Sequence, residues 1–384
     1  MQDTLFYRDA YVRAFDAVVA DCKPCAQGFA VVLSETAFYP EGGGQPGDTG
    51  VLGGVRVWDT KEKEGHIVHF CDAPLPVGET VHGELDWERR FRHMQSHTGE
   101  HIFSGIAHAL YGCENVGFHM SQDCVTIDLN RALTAEQVAE IERQTNEAVF
   151  SDVPTMVQYP TPEVLQTLDY RSKKELTGTV RLVEAGGRDL CACCGLHVAR
   201  SGEVGCVKVG IQTPHRGGIR MTLRIGWDAL RDYDKKQRQT ADISHLLSAK
   251  SDEIVEAVQR MTEQNDAYQA QVIALHDEIF RLRAQALPKG APKLWQFAEG
   301  LTPVETRRFA DVLAGQAEWA VVFTDAGENH WQYAVCSHTQ DVRAICQALN
   351  TTFHGHGGGK PAVVQGAIHA TRAQIEAFCE EYRL

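Results

Sequence analysis

The sequence predicts an α+β protein of several domains: a small N-terminal β-barrel, an α/β domain, a long coiled-coil-like helix and a C-terminal α/β domain. Three observations predict it. Residues 1–88 are short β-branched or aromatic runs separated by closely spaced Gly, Pro and Asp. Residues 231–288 carry a seven-residue apolar repeat. Helical and strand patterns alternate through 89–230 and again through 289–384. A chain of 384 residues is long enough for two to four domains, and 43% hydrophobic against 23% charged residues is the balance of a folded chain, not a disordered one.

The elements follow in order. In 1–88 the strand candidates are Phe29–Leu33, Val51–Val57 and His66–Phe70. In 89–230, a helix runs from Arg89 to Tyr111 and stops at Gly112, where a left-handed residue ends a helix without a Cβ penalty. Val125–Leu129 alternates as a strand, and Thr134-Ala-Glu-Gln137 is a capping box opening a helix through about Val149. Further strands are Val180–Glu184 and Val204–Ile211. From about 233 to 286 one heptad series reads Leu247, Ile254, Met261, Tyr268, Leu275 and Leu282. A second series, offset by four, contains Asn265, a residue type that fixes register at an inward position. A long helix ending at Pro288 and pairing with a second copy is expected. Residues 289–384 read β-α-β-β-α-β-α, with a glycine-rich loop, His354 to Lys360, before the strand Ala362–Ala367.

The formal charge is −14, of which residues 1–88 hold −9. The middle segment is nearly balanced, with Arg89, Arg90 and Arg92 early in it and Arg216, Arg220 and Arg224 late. A nucleic-acid partner is therefore compatible with the chain away from the acidic barrel. No apolar run reaches the length of a membrane span, and Met1–Ala20 lacks the form of a secretory signal. A cytoplasmic protein with reduced cysteines and no membrane association is expected.

Two half-sites carry the chemistry. His97-Thr-Gly-Glu-His101 sets two imidazoles one helical turn apart. Cys191-Ala-Cys193-Cys194-Gly-Leu-His197 follows roughly 90 residues later, and Cys193 repeats the four-residue step to His197. Three imidazoles and a thiolate suit zinc in kind and number, with Cys191 and Cys194 as neighbours able to stand in. Phe38-Tyr-Pro-Glu-Gly-Gly-Gly-Gln-Pro-Gly-Asp-Thr-Gly50 matches neither the phosphate-loop nor the dinucleotide pattern, so no ATP site is expected. It reads either as a barrel corner or as a loop shaping a neighbouring pocket.

These residues in this order resemble the alanyl-tRNA editing proteins of the AlaX type, in their long form, relatives of the editing domain of alanyl-tRNA synthetase. The terminal Gly-Gly-Gly-Lys-Pro segment resembles the DHHA1 nucleic-acid-binding module. The resemblance implies a barrel at 1–88, a zinc-dependent editing domain at 89–230, a long helix at 231–288 and a DHHA1-like domain at 289–384. It implies a hydrolase that clears misacylated tRNA(Ala), chiefly Ser-tRNA(Ala) and also Gly-tRNA(Ala), working as a homodimer through the long helix and C-terminal domain. By motif, His97, His101, Cys193 and His197 would hold Zn2+. Gly42, Gly43, Gly44 and Gln45 would discriminate the amino acid. Gly357, Gly358, Gly359 and Lys360 would belong to the tRNA-binding module, and the charge distribution adds Arg92 and Arg220 as tRNA contacts.

The chain departs from the family pattern at Leu196, where Thr is usual, and at Glu100, where a small polar residue is usual. Val116–Ser121 should line the pocket yet holds no Thr, which leaves His119 and Ser121 to meet a serine hydroxyl. Glu100, the nearest carboxylate to His101, is the candidate base, with His119 as a second catalytic candidate, although position i−1 faces away from His101. A related deacylase of Ser-tRNA(Thr), and a zinc-stabilised tRNA-binding scaffold without catalysis, are the alternative functions.

Overall fold

The computed structural model describes residues 4–172 and 178–383, in two compact units, 1–242 and 243–384. In the first unit, helix α1 (Leu5–Arg8) precedes six strands: β1 (Ala14–Cys25), β2 (Gly28–Leu33), β3 (Gly50–Leu52), β4 (Val55–Lys63), β5 (His66–Cys71) and β6 (Thr80–Leu85). They close as an antiparallel barrel in the order β1-β2-β5-β4-β3-β6. Its filling is Val19, Val31, Phe38, Leu52, Val57 and Cys71, all buried. Alternation decides which residues fill it: along β6, Val81, Gly83 and Leu85 are buried while Thr80, His82 and Glu84 are exposed. Register shifts at Val19/Asp21 and Val57/Asp59 supply the bends a small barrel needs. The barrel read from the sequence is thus present.

Helix α2 (Trp87–Tyr111) starts two residues after β6. Asp86 caps it by accepting from Arg89 N at 3.2 Å, and Gly112 ends it at φ 61. Then come β7 (Asn115–Met120), β8 (Val125–Leu129), α3 (Ala135–Phe150), β9 (Met156–Gln158), α4 (Pro162–Leu165), β10 (Leu182–Ala185), β11 (Asp189–Ala192), β12 (Val207–His215), β13 (Gly218–Ile225) and α5 (Trp227–Leu247). The expected capping box of Thr134 and Gln137 is formed in full. One sheet runs β12-β13-β8-β7 and a smaller one β11-β10-β9. Met94, Ile102, Phe103 and Ile106 of α2 pack with Ile127, Ile141, Met221 and Leu223 into one core, which makes α2 the buried spine of this unit.

The second unit contains α6 (Ile254–Gln285), β14 (Leu294–Ala298), α7 (Pro303–Ala314), β15 (Ala320–Asp325), β16 (His330–Cys336), α8 (Arg343–Thr352), β17 (His356–Lys360), β18 (Val363–His369) and α9 (Arg372–Glu381). Its sheet runs β14-β15-β16-β18-β17, and only β14 and β15 are parallel. Phe280 of α6 stacks on Phe309 of α7 at 4.6 Å.

Two sequence expectations are corrected here. The helix expected from 233 to 286 is two helices. Ser248 is left-handed (φ 49), Ala249 N donates to Ser244 O, and the heptad residue Leu247 ends α5 before Ile254 begins α6. A periodic apolar pattern does not register a single left-handed residue. The glycine-rich stretch expected as a loop is the edge strand β17, paired with β18 from His356/Ala367 to Lys360/Val363. Glycine carries almost no strand signal of its own, yet Gly357 and Gly359 sit where a Cβ would lie 2.6 and 2.3 Å from the carbonyls of Gln365 and Val363. No helix among the described residues is long and apolar enough to cross a membrane.

Candidate metal centre

The second half-site follows directly from β11, and α2 passes beside it. Their meeting places one ligand atom each from His97, His101, Cys193 and His197 within 4.8 Å of one another. The three imidazoles are buried and Cys193 is only partly so. Ring centroids lie 4.7 to 5.1 Å apart. Cys193 Sγ is 3.4 Å from His97 Nε2 and receives the Gly195 amide at 3.3 Å, as a thiolate ligand does. Gly195 is required by space: a Cβ there would lie 1.9 Å from His97 Cε1.

Each imidazole is held from outside by its Nδ1. His97 Nδ1 meets Gln45 Oε1 at 3.0 Å, His101 Nδ1 meets Asp189 Oδ2 at 2.8 Å, and His197 Nδ1 meets Thr98 Oγ1 at 3.2 Å. The Thr98 hydroxyl donates to Met94 O, so its lone pair faces His197. All three acceptors take a proton from Nδ1, which turns each Nε2 inward toward the group. His197 Nε2 is buried without a hydrogen-bond partner. A buried, unpartnered acceptor beside a thiol and two more imidazoles is what a cation would satisfy, so the four residues fit a bound metal ion.

The electrostatics favour a thiolate at Cys193 and a lone pair on His197, and set His101 apart as the imidazole that keeps a second proton. Burial raises the Cys193 thiol, but the imidazoles of His97 and His101 outweigh it and hold the thiol well below its ordinary range. Burial pushes His197 down to about 3 against the pull of Cys193. Burial also acts to lower His101, yet Cys193 and Asp189 hold it well above its ordinary value. Cys191 is pushed up to about 11, chiefly by burial, and Cys194 is exposed, so of the three Cys193 is the one placed to join the three imidazoles around an ion.

The glycine segment shapes the centre, as one of the two sequence readings had it. Gly42 and Gln45 exchange both backbone hydrogen bonds at 3.0 Å, a tight turn that presents Gln45. Gln45 is fully buried; its Oε1 also accepts from Leu196 N, and its Nε2 has no partner. Gly44 (φ +83) allows Phe118 to close in, since a Cβ would lie 2.4 Å from Phe118 Cδ1. Phe118 in turn stacks on His97 at 5.1 Å. Gly43 has open space around it.

The remaining predicted residues are not gathered at the metal group. Glu100 is buried and accepts from Ser104 Oγ (2.6 Å) and from the Asn115 amide, tying α2 to β7, and it is not among the four residues of the metal group. His119 is exposed, because the strand neighbour Phe118 takes the inward place. The Ser121 hydroxyl closes a turn onto Cys124 O at 2.8 Å. Arg92 is engaged with Asp228 and Ser121 O, while Arg220 is exposed and bidentate to Asp128. Gly357, Gly358, Gly359 and Lys360 lie exposed on β17 in the second unit. Sequence reasoning missed Thr98, Arg171 and Asp189, whose roles arise only when the two half-sites meet, and placed Phe118 only within the Val116–Ser121 segment expected to line the pocket.

A buried ion pair locks the same wall. Arg90, fully buried on α2, donates Nε to Asp48 Oδ2 at 2.8 Å and pairs with it again through Nη2. It also reaches the carbonyls of Ala10 and Ala37. Asp48 follows the Gly42–Gln45 turn, so α2 grips the loop at Arg90 and at His97.

Residues 10–89 match the family of class II (A) tRNA synthetases. The chain is 28% identical to the alanyl-tRNA editing protein AlaX-L of Pyrococcus horikoshii, over 98% of this chain and 96% of that one. It is 30% identical to the alanyl-tRNA editing protein Aarsd1 of Bos taurus, over 98% and 97%. With an alanine–tRNA ligase of Halorubrum lacusprofundi it shares 33% identity over 73% of this chain and 32% of the ligase. A four-residue metal group walled by the glycine turn, on a chain matched end to end at this identity, makes the protein a member of the alanyl-tRNA editing protein family.

Proposed function

We propose that the chain is a hydrolase that cleaves the ester joining a wrongly attached amino acid to tRNA(Ala), acting on Ser-tRNA(Ala) and Gly-tRNA(Ala), with zinc held by His97, His101, Cys193 and His197. The observation that carries the reading is the meeting of the glycine turn with the metal group through Gln45 and His97. Zinc, when bound, supplies Lewis acidity and acidifies a bound water.

The chain's own residues supply selectivity. Alanine is smaller than serine, so no size filter spares it; the pocket must instead bond the serine hydroxyl, and its polar groups stay unpaired when alanine enters. The buried, unpartnered Nε2 of Gln45 is the donor at hand for that hydroxyl. Gly42, Gly43 and Gly44 shape the wall around it. Glu100 positions α2 in this reading. Lys360 and Gly357–Gly359 on their exposed edge strand, with Arg220, meet the tRNA backbone, and the exposed apolar side chains of α6 pair two copies. The DHHA1-like character of the C-terminal domain, the coiled-coil role of α6 and a cytoplasmic location belong to the same proposal.

Deacylation of Ser-, Gly- and Ala-tRNA(Ala), with and without a chelator, tests it. Rapid loss of Ser from tRNA(Ala), sparing of Ala and abolition by chelation are expected. Activity that survives complete metal removal overturns the zinc assignment, and faster release from Ser-tRNA(Thr) overturns the tRNA assignment.

A further inference from the structure

We infer that Asp189 and Arg171 are positioning residues that make His101 the most firmly held donor of the metal group. The inference rests on the metal-centre reading above and adds to it an order among the ligands.

Both oxygens of Asp189 are used. Oδ2 takes the His101 Nδ1 proton at 2.8 Å and Oδ1 takes Arg171 Nε at 2.6 Å. The Asp189 and His101 side chains are buried and that of Arg171 nearly so. The backbone fixes the guanidinium as firmly as the side chain does: Arg171 N donates to Leu190 O at 2.8 Å and Ala192 N donates to Arg171 O at 2.9 Å, which stitches residue 171 alongside β11. Gly105, one turn beyond His101, permits the approach. A Cβ there would lie 2.6 Å from Arg188 O and 2.7 Å from Asp189 Cβ, so any larger residue drives β11 off α2.

The other two imidazoles have neutral partners, an amide oxygen for His97 and a hydroxyl at 3.2 Å for His197. A hydrogen bond to a carboxylate is roughly twice as strong as a neutral one, and a carboxylate behind an imidazole raises its donor strength toward a cation. His101, Asp189 and Cys191 also form a compact group able to hold an ion of their own. Arg171 already supplies the positive charge there, so this group serves His101 instead of a second ion.

The test uses the full chain and zinc alone. Metal content per chain is counted, affinity is read by competition with a chelating dye, and the cobalt-substituted spectrum reports ligand geometry. One ion per chain is expected. Asp189→Asn, nearly isosteric, weakens affinity about 10- to 100-fold and shifts the cobalt bands. Asp189→Glu recovers part of the loss, Arg171→Lys gives an intermediate loss, and Thr98→Val costs no more than a few-fold. Equal affinity in Asp189→Asn and the parent overturns the inference, as does equal loss in Thr98→Val, or two ions in the parent. If Asp189→Asn fails to fold, Arg171→Lys and Thr98→Val still decide the ranking. A parent that binds no ion defeats the metal-centre reading itself, a result distinct from one ion bound without help from Asp189.

Discussion

Arg90→Met removes a fully buried guanidinium and leaves its partner behind. Asp48 Oδ2 then keeps only the Tyr39 amide, at 2.7 Å, and Oδ1 has no partner even in the parent. The carbonyls of Ala10 and Ala37 lose a donor as well. Breaking one side of a buried pair costs about 3–5 kcal/mol, because the surviving charge stays desolvated. For a unit of this size, roughly 2–4 °C is lost per kcal/mol, which gives a fall of roughly 6–20 °C in the melting temperature. Calorimetry on Arg90→Met, Asp48→Leu and the double variant reads the interaction directly. The double variant should recover most of the loss, since an apolar pair of similar volume needs no solvation. A single-variant loss below about 1 kcal/mol, or a double variant as weak as Arg90→Met, would refute the buried-pair reasoning.

Gly195→Ala sets a methyl 1.9 Å from His97 Cε1, and the variant should purify folded but without bound metal, as elemental analysis would read. His69 is buried between Thr36 Oγ1 (2.8 Å) and Val31 O (3.0 Å), and burial pushes it down to about 4. Its depressed value means the unfolded chain takes the proton first, so stability present above about pH 6.5 is lost as pH falls toward about 4, by about 3 kcal/mol in total. Urea midpoints measured across that window should decline in the parent, and the decline should flatten in His69→Gln. Met261, Tyr268 and Leu275 are each more than half exposed on α6, and changing all three to Glu should convert a sedimenting dimer to a monomer that still folds. A parent that sediments as a monomer removes the pairing proposal.

The parts legible in the sequence were those written locally. A four-residue step between two histidines, a capping box at Thr134 and the alternation along Val125–Leu129 each need only a short window, and each is realised. Apart from the meeting of the two half-sites, parts that depend on distant pairing were not legible. Nothing near His97 announces Gln45, 52 residues earlier, as the group that sets its tautomer, although the glycines around Gln45 marked the loop. Asp189 and Arg171 look like ordinary surface charges until β11 is laid against α2. His119 and Ser121 were chosen by type, whereas strand alternation brings Phe118 to the site. The break at Ser248 is one residue's φ, and no apolar period encodes that.

The reach of Gln45 into the metal group has a consequence for how such a centre can be inherited. The turn that carries Gln45 lies between two barrel strands, and Asp48, three residues on, is bound by the helix that carries His97. A shortened gene encoding residues 89–230 alone would retain all four donors but lose the partner of one imidazole and uncover a buried guanidinium. The barrel therefore does not behave as a detachable accessory. Recombination that transplants this chemistry into another protein has to carry the barrel and the helix together, as one cassette.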